Sequence, residues 1–263
     1  MTVRDVTKAL APLLQQLELE QPRVVTKVEL GSFATLAGVD WPVEVVVRRL
    51  REAGWLLDLG TRGVWEFAPA ARAGAFGSGD PFIELRATLA RDDGSLFAVA
   101  AESAAYLLGL ASRRPDREVI GAPAGVRAPN ALRDLRVVHW TPRTEFVVKD
   151  GLPVWSATTL LAFMASKPSG YRDWPNVGEW IEQAARVVTI EAIADELSGH
   201  PRAAWARAAY LLDRAAESDD AMHLMGLAPS GTGPFYLGRR AVSGRYDGRF
   251  DVVDSTGLEV RAE

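Results

Sequence analysis

The chain has 263 residues, 48% of them hydrophobic, with no cysteine and a formal net charge of −4. That length can bury a substantial core in one or two domains, and the absence of cysteine excludes disulfides and cysteine-ligated zinc or iron–sulfur sites and points to a cytoplasmic setting. No run approaches the ~18 apolar residues of a membrane span, and Arg4, Asp5 and Lys8 interrupt any leader-like apolar core, so neither a membrane partner nor secretion is expected.

In chain order, Val6, Leu10, Leu13 and Leu17 make the apolar stripe of a first helix over residues 4–19. Thr26-Lys27-Val28-Glu29 is a capping box, in which the threonine hydroxyl accepts from the glutamate amide and the carboxylate reaches back to the threonine amide. Val25 and Leu30 stand at the two positions of a hydrophobic staple. A second helix is therefore expected from Lys27 to about Ala37, with Gly38 as its left-handed stop. Asp40 is placed to cap a third helix over residues 42–53, with Pro42 in its first turn.

On this third helix Val43, Val46, Val47, Leu50 and Gly54 share the packing side. Arg48 points directly away from it, among Glu44, Val45 and Glu52, with Arg49 and Arg51 on the flanks. Arginine suits bidentate contact with guanine, and a valine can touch a thymine methyl. The competing reading is a solvated helix dressed by the i,i+4 pairs Glu44–Arg48 and Arg48–Glu52. Residues 55–59 and 64–67 then read as strands joined by Gly60-Thr61-Arg62-Gly63, a hairpin with the glycines its turn demands. Arg62 at the tip is placed to reach a phosphate or the minor groove, or simply to stand in solvent.

Three helices followed by a hairpin is the order of a winged helix-turn-helix, so double-stranded DNA is the first partner to expect. Lys27, Val45, Arg48, Arg49, Arg51 and Arg62 are the DNA-facing candidates. Residues 1–72 nevertheless hold nine Lys/Arg and nine Asp/Glu, so any basic surface arises by segregation, and a modest salt dependence is expected.

Glycines and small residues at 69–80 mark a boundary, giving a winged-helix domain at 1–72, a linker at 73–80 and a second domain at 81–263. In the second domain, helices are expected at 81–90 and 102–110 and strands at 96–100, 118–122, 135–140 and 146–149. Helices follow at 156–165, 177–185, 190–197 and 202–213, then short strands at 235–237 and 250–253. The fold class is thus mixed α+β: an N-terminal winged helix-turn-helix and an α/β domain with a helical C-terminal half.

Catalytic signatures are lacking. His139, His200 and His223 are scattered, without metal-ligand spacing; His139 reads as a strand residue and His200 as part of a turn or cap. Gly231-Thr232-Gly233 lacks the strand-before, helix-after context of a phosphate cradle, and there is no GxSxG elbow. No lysine has an acid two residues before it, which disfavours one type of metal-dependent nuclease. The acidic clusters Asp92-Asp93, Glu191 with Asp195 and Glu196, and Asp219-Asp220 read as a turn, a helix surface and a loop. No catalytic residue, metal ligand or cofactor is expected.

The run from Thr26 to Pro69 resembles the winged-helix module of the abortive-infection type E antitoxins, the AbiEi family. Ala101-Glu102-Ser103-Ala104-Ala105-Tyr106-Leu107-Leu108-Gly109 is similar to that family's serine–alanine helix ending in glycine. Gly151-Leu152-Pro153-Val154-Trp155-Ser156-Ala157-Thr158-Thr159-Leu160-Leu161 resembles its Gly-x-Pro-Val segment with a later leucine pair. The stretch from Ala204 to Asp213 resembles its late arginine–leucine helix. One position departs: Ala162 stands where many members have an acid. The resemblance implies an autorepressor that binds repeats in its own promoter and counters a nucleotidyltransferase-like toxin, in some members without a stable complex. A ligand-responsive winged-helix transcription factor and a DNA-tethered nuclease are the alternatives from other classes.

Overall fold

The computed structural model describes residues 8–72, 76–92 and 94–258. Two compact units emerge, Met1–Leu96 with Ala128–Asp134, and Phe97–Arg127 with Leu135–Glu263.

In the first unit a 3-10 turn, Lys8–Leu10, leads into α1, Ala11–Glu20. The expected stripe is realised by Leu10, Leu13 and Leu17, which are buried; residues 4–7, including Val6, lie outside the described residues. Val24–Thr26 forms strand β1 before α2, Lys27–Leu36, whereas the sequence pattern predicts only a helix start. Short-range signals cannot announce this strand, because its partner is the distant strand β3, Val64–Phe67, with Val25 opposite Trp65. The capping box forms as expected: Thr26 Oγ1 accepts from the Glu29 amide at 3.1 Å and Glu29 Oε2 accepts from the Thr26 amide at 2.8 Å. Val25 and Leu30 are fully buried at the staple positions.

Helix α3 spans Val43–Glu52, with Pro42 as its N-cap and no side-chain cap. Asp40 therefore does not cap it. Trp41 precedes a proline, which disfavours helical backbone there, so the helix opens only beyond Pro42. Val46, Val47 and Leu50 enter the core with Leu13, Leu17, Val25 and Leu30. Strand β2, Leu56–Asp58, pairs antiparallel with β3 in the sheet order β1-β3-β2.

This compact unit continues well past residue 72. Helix α4, Ile83–Arg91, packs against β1 and β3. The chain leading to it is tied down by buried carboxylates: Glu66 accepts from Arg72 Nη1 at 2.6 Å and from the Ser78 amide, and Asp80 pairs with Arg86 at 2.6 Å and Arg23 at 3.2 Å. Compactness thus divides the chain after Leu96, and not within 73–80, of which residues 73–75 lie outside the described residues. The chain later returns to this unit in a 3-10 turn, Asn130–Leu132. Gly60 lies so close to that turn that a Cβ there would sit 3.1 Å from Ala131 Cα.

The second unit is built on a mixed five-stranded sheet. Its strands are β4 (Ala98–Val99), β5 (Val119–Ala122), β6 (Arg136–His139), β7 (Val147–Lys149) and β8 (Leu152–Val154), with α5, Ala101–Leu107, following β4. The spatial order is β6-β5-β4-β8-β7. Lys149 faces Leu152 across a two-residue turn, Asp150-Gly151, with φ of 51° and 70°. Asp-Gly is the sequence such a turn favours.

Ser156 caps α6, Ala157–Ser166, and accepts from the Thr159 amide at 3.1 Å. Residues 157–165 are buried without interruption, as befits a helix enclosed on all sides. It packs on α5, α8 (Ile190–Leu197) and α9 (Arg202–Arg214). The helix expected over 177–185 is instead a 3-10 segment, Trp174–Glu179, followed by a short α7, Ile181–Ala185. Gly121 lets Trp155 cross β5, since a Cβ there would lie 2.4 Å from the indole.

Asp219 and Asp220, expected in a loop, occupy the first turn of α10, Ser218–Leu227, where negative charge suits the helix dipole. The C-terminal sheet, order β10-β11-β9, comprises β9 (Phe235–Leu237), β10 (Arg245–Asp247) and β11 (Val252–Asp254). Asp254 accepts from the Tyr210 hydroxyl at 3.0 Å, joining this sheet to α9. No described helix is long and apolar enough to cross a membrane.

Candidate nucleic-acid interface

The candidate residues of the first unit are arranged by three junctions. The Lys27 amide donates to the Gly63 carbonyl at 3.0 Å, bringing the start of α2 to the β2–β3 turn. Its ammonium pairs with Glu44 at 2.6 Å, joining α2 to the first turn of α3. At the other end of α3, Arg51 pairs with Asp58 of β2. The exposed side of α3 is thereby fixed against both its neighbours.

Lys27, Arg49 and Arg51 each have an acidic partner, Arg49 through Glu52 at 3.7 Å. The Lys27 bond also holds the Glu44 carboxyl below its usual range, chiefly through that hydrogen bond. Arg48 and Arg62 are exposed, and neither has an ion pair among the described residues. The expected i,i+4 pairs of Arg48 with Glu44 and Glu52 do not form: Glu44 turns to Lys27 and Glu52 to Arg49. Val45 is half-buried, so only part of its side chain is open to a partner.

The turn carrying Arg62 is anchored on one side. The Gly60 amide donates to Glu84 of α4 at 2.6 Å, and Thr61 is buried with its hydroxyl 3.4 Å from both Glu84 and Thr88. Arg62 is the exposed residue of a supported loop. Sequence alone offers no sign of this support, since α4 lies some twenty residues further on.

In the second unit one of the acids that spacing places on a helix surface is a structural centre. Glu196, 1% exposed, does not decorate the surface of α8. It accepts from the indole of Trp140 at 3.1 Å, the amides of Arg143 and Thr144 at 3.0 Å, and the hydroxyls of Thr144 and Thr159 at 2.9 and 2.7 Å. Such a set of donors allows a carboxylate to stay buried. The spacing of α8 carries the signal, because Glu196 falls three residues after the buried Ile193 and six after the buried Ile190.

His200 stacks on Trp140 with ring centroids 4.7 Å apart. Burial, then the cations of Arg143 and Lys167, lower its pKa, against a smaller opposing effect of Glu196. His139 lies in β6 and accepts at its carbonyl from Lys167 at 2.6 Å. The Gly233 amide is already bonded to Asp251 at 3.0 Å, which rules that glycine out as a phosphate donor. Among the described residues no group of three His, Asp or Glu is placed to hold a metal. Asp93 lies outside the described residues.

Residues 97–214, which hold the mixed sheet, the fully buried helix behind it and the buried glutamate at the start of that helix, match the family model of the AbiEi antitoxin C-terminal domain. The match runs from β4 to α9. Almost the whole chain is also similar to a solved structure described as "Crystal structure of RV2827C protein from Mycobacterium tuberculosis", at 27% identity and a TM-score of 0.78, over 98% of this chain and 94% of that one. No curated protein matches the chain.

The motifs that carried the resemblance take definite places. The serine–alanine run is α5, ended by Gly109 at φ 76°. The Gly-x-Pro-Val segment supplies a hairpin turn, β8 and the cap of α6, and the late helix is α9. Ala162 is fully buried in α6, while the carboxylate reaching this helix comes from Glu196, at Thr159.

Proposed function

We propose that this chain is the DNA-binding antitoxin of a toxin–antitoxin pair and the repressor of its own promoter. The first unit acts as a winged helix-turn-helix, with α3 as recognition helix and the β2–β3 hairpin as wing. It binds double-stranded promoter repeats in the cytoplasm. The second unit counters a nucleotidyltransferase-like toxin without catalysis of its own and without requiring a stable complex.

The observation that carries the reading is the outer row of α3 in a chain that also holds an antitoxin domain. Arg48 stands exposed and without an ion pair among the described residues, while its acidic neighbours are engaged by Lys27 and Arg49. A guanidinium with its donors uncommitted is suited to the acceptor pair of guanine. Arg62 supports the same reading as a phosphate contact from a loop held rigid by α4.

A fluorescence-anisotropy titration of the full chain against its own upstream duplex and a scrambled duplex, at two salt concentrations, tests this. Preference for the upstream sequence, reduced by ~1–3 kcal/mol in Arg48→Ala, is expected. Arg62→Ala should weaken both duplexes alike and lower the salt slope by about 1. Equal, weak binding to both duplexes would overturn the repressor assignment. For the antitoxin half, the full chain carrying Arg48→Ala should still relieve toxin-induced growth arrest. Loss of relief at unchanged protein level would refute the division of labour.

A further inference from the structure

A second concentration of arginine lies in the antitoxin domain and is not needed for the promoter reading. A cavity of about 400 Å³ is lined by Arg113, Arg114, Arg117, Arg136 and Arg172, with Glu102, Asp116 and Asp173 among them. Its volume falls in the range of small-ligand pockets, roughly 300–1,000 Å³. Such pockets are usually mostly apolar; this one is walled by charge and has no aromatic ring among its lining residues.

Two buried acids mount part of the cluster. Glu102, 5% exposed, takes Arg136 Nη2 on one oxygen and the Arg172 amide on the other, while Arg136 Nη1 donates to the Gly170 carbonyl at 2.7 Å. Glu118 holds Arg114 through Nε and is itself bonded by Ser103, whose oxygen accepts from the Val119 amide at 2.7 Å. Asp173 is engaged by Asn176 at 2.6 Å. Five arginines face three acids in the lining, with Arg136 and Arg114 held by these glutamates and Arg117 Nη2 donating to the Leu135 carbonyl at 3.1 Å. Arg113 and Arg172 are exposed, and neither side chain has an ion pair among the described residues.

The crowding is felt at Arg136. Its pKa is lowered by burial first, and the charges of Arg172 and Arg117 act in the same direction, against Glu102. An anion placed among these guanidiniums would relieve that repulsion. Planar guanidinium forks match phosphate oxygens, and the lack of a stacking ring argues for recognition of the phosphates instead of a base.

We propose that this cavity binds a compact oligophosphate, either the polyphosphate tail of a nucleotide or the free anion, with Arg113 and Arg172 closing on it over the fixed Arg136. Titration calorimetry of the full chain with inorganic triphosphate, ATP and sulfate at near-physiological salt tests the site. Saturable one-site binding of triphosphate is expected, weakened about tenfold or more in Arg113→Ala/Arg172→Ala, with the melting temperature of the unliganded protein unchanged. The double variant Arg48→Ala/Arg62→Ala should leave that binding intact, which separates this cavity from the DNA-facing surface. Tighter binding of ATP would identify a nucleotide as the source of the phosphates, and equal binding the free anion. Absence of saturable binding, equal affinity for sulfate, or loss only in the Arg48/Arg62 variant would overturn the proposal.

Discussion

The two units use charge in opposite ways. On α3 and its neighbours, Lys27, Arg48, Arg49, Arg51 and Arg62 stand at the surface, and the pairs that Lys27, Arg49 and Arg51 make are solvated ones that contribute little to stability. In the second unit Glu102, Glu118 and Glu196 are at most 6% exposed and each is met by two or more donors. Surface charge can be exchanged for a partner at little cost to the fold, whereas buried charge is committed to it. Substitutions in the first group should therefore change binding, and substitutions in the second should change folding.

The sharpest test of this contrast is Glu196→Ala. It leaves the Trp140 indole, two amides and two hydroxyls without their acceptor, so a loss of roughly 2–4 kcal/mol in chemical denaturation is expected. A loss below 1 kcal/mol would mean that water replaces the carboxylate and that the site is not a structural centre. On the other side, Arg48→Ala should leave the denaturation midpoint unchanged while weakening operator binding as given above. If it alters stability instead, the exposed row of α3 belongs to the fold and the contrast fails.

Smaller effects refine the comparison. Thr26→Ala removes the side-chain half of the capping box and should lower stability by about 1 kcal/mol; Thr26→Ser, which keeps the acceptor, should recover most of it. The smallest effect is pH-dependent. Because His200 has a folded-state pKa below its ordinary 6.5, the neutral form is the one the fold prefers. Its contribution is complete above 6.5 and is lost as pH falls through the lowered folded value. Melting temperatures measured from about pH 7 to about pH 5 should fall less steeply in His200→Phe, which retains a ring on Trp140. An identical slope in both proteins would remove His200 as a source of acid sensitivity.

The domain boundary illustrates how local composition misleads. The glycine-rich stretch around residues 69–80 has the look of a linker, yet Glu66 and Asp80 bind its described parts and α4 completes the first unit. Because residues 128–134 return to that unit, cutting at residue 80 would separate α4 and its 3-10 neighbour from the sheet. The two halves are better dissected by point substitutions.

What the sequence determined by itself was local. The capping box at Thr26, the apolar side of α3, the hairpin glycines and the span of α8 all follow from contacts within a few residues, where spacing is geometry. The antitoxin resemblance was legible too, from the order of motifs across β4 to α9. Only the tertiary structure decided the rest: that Val24–Thr26 pairs as a strand, that Glu196 turns inward, that Lys27 rather than Arg48 takes Glu44, and that five arginines meet around one cavity. Each joins groups distant in sequence or depends on which of several neighbours a long side chain selects. Burial and charge pairing are properties of the packed chain, and periodicity along the sequence does not encode them.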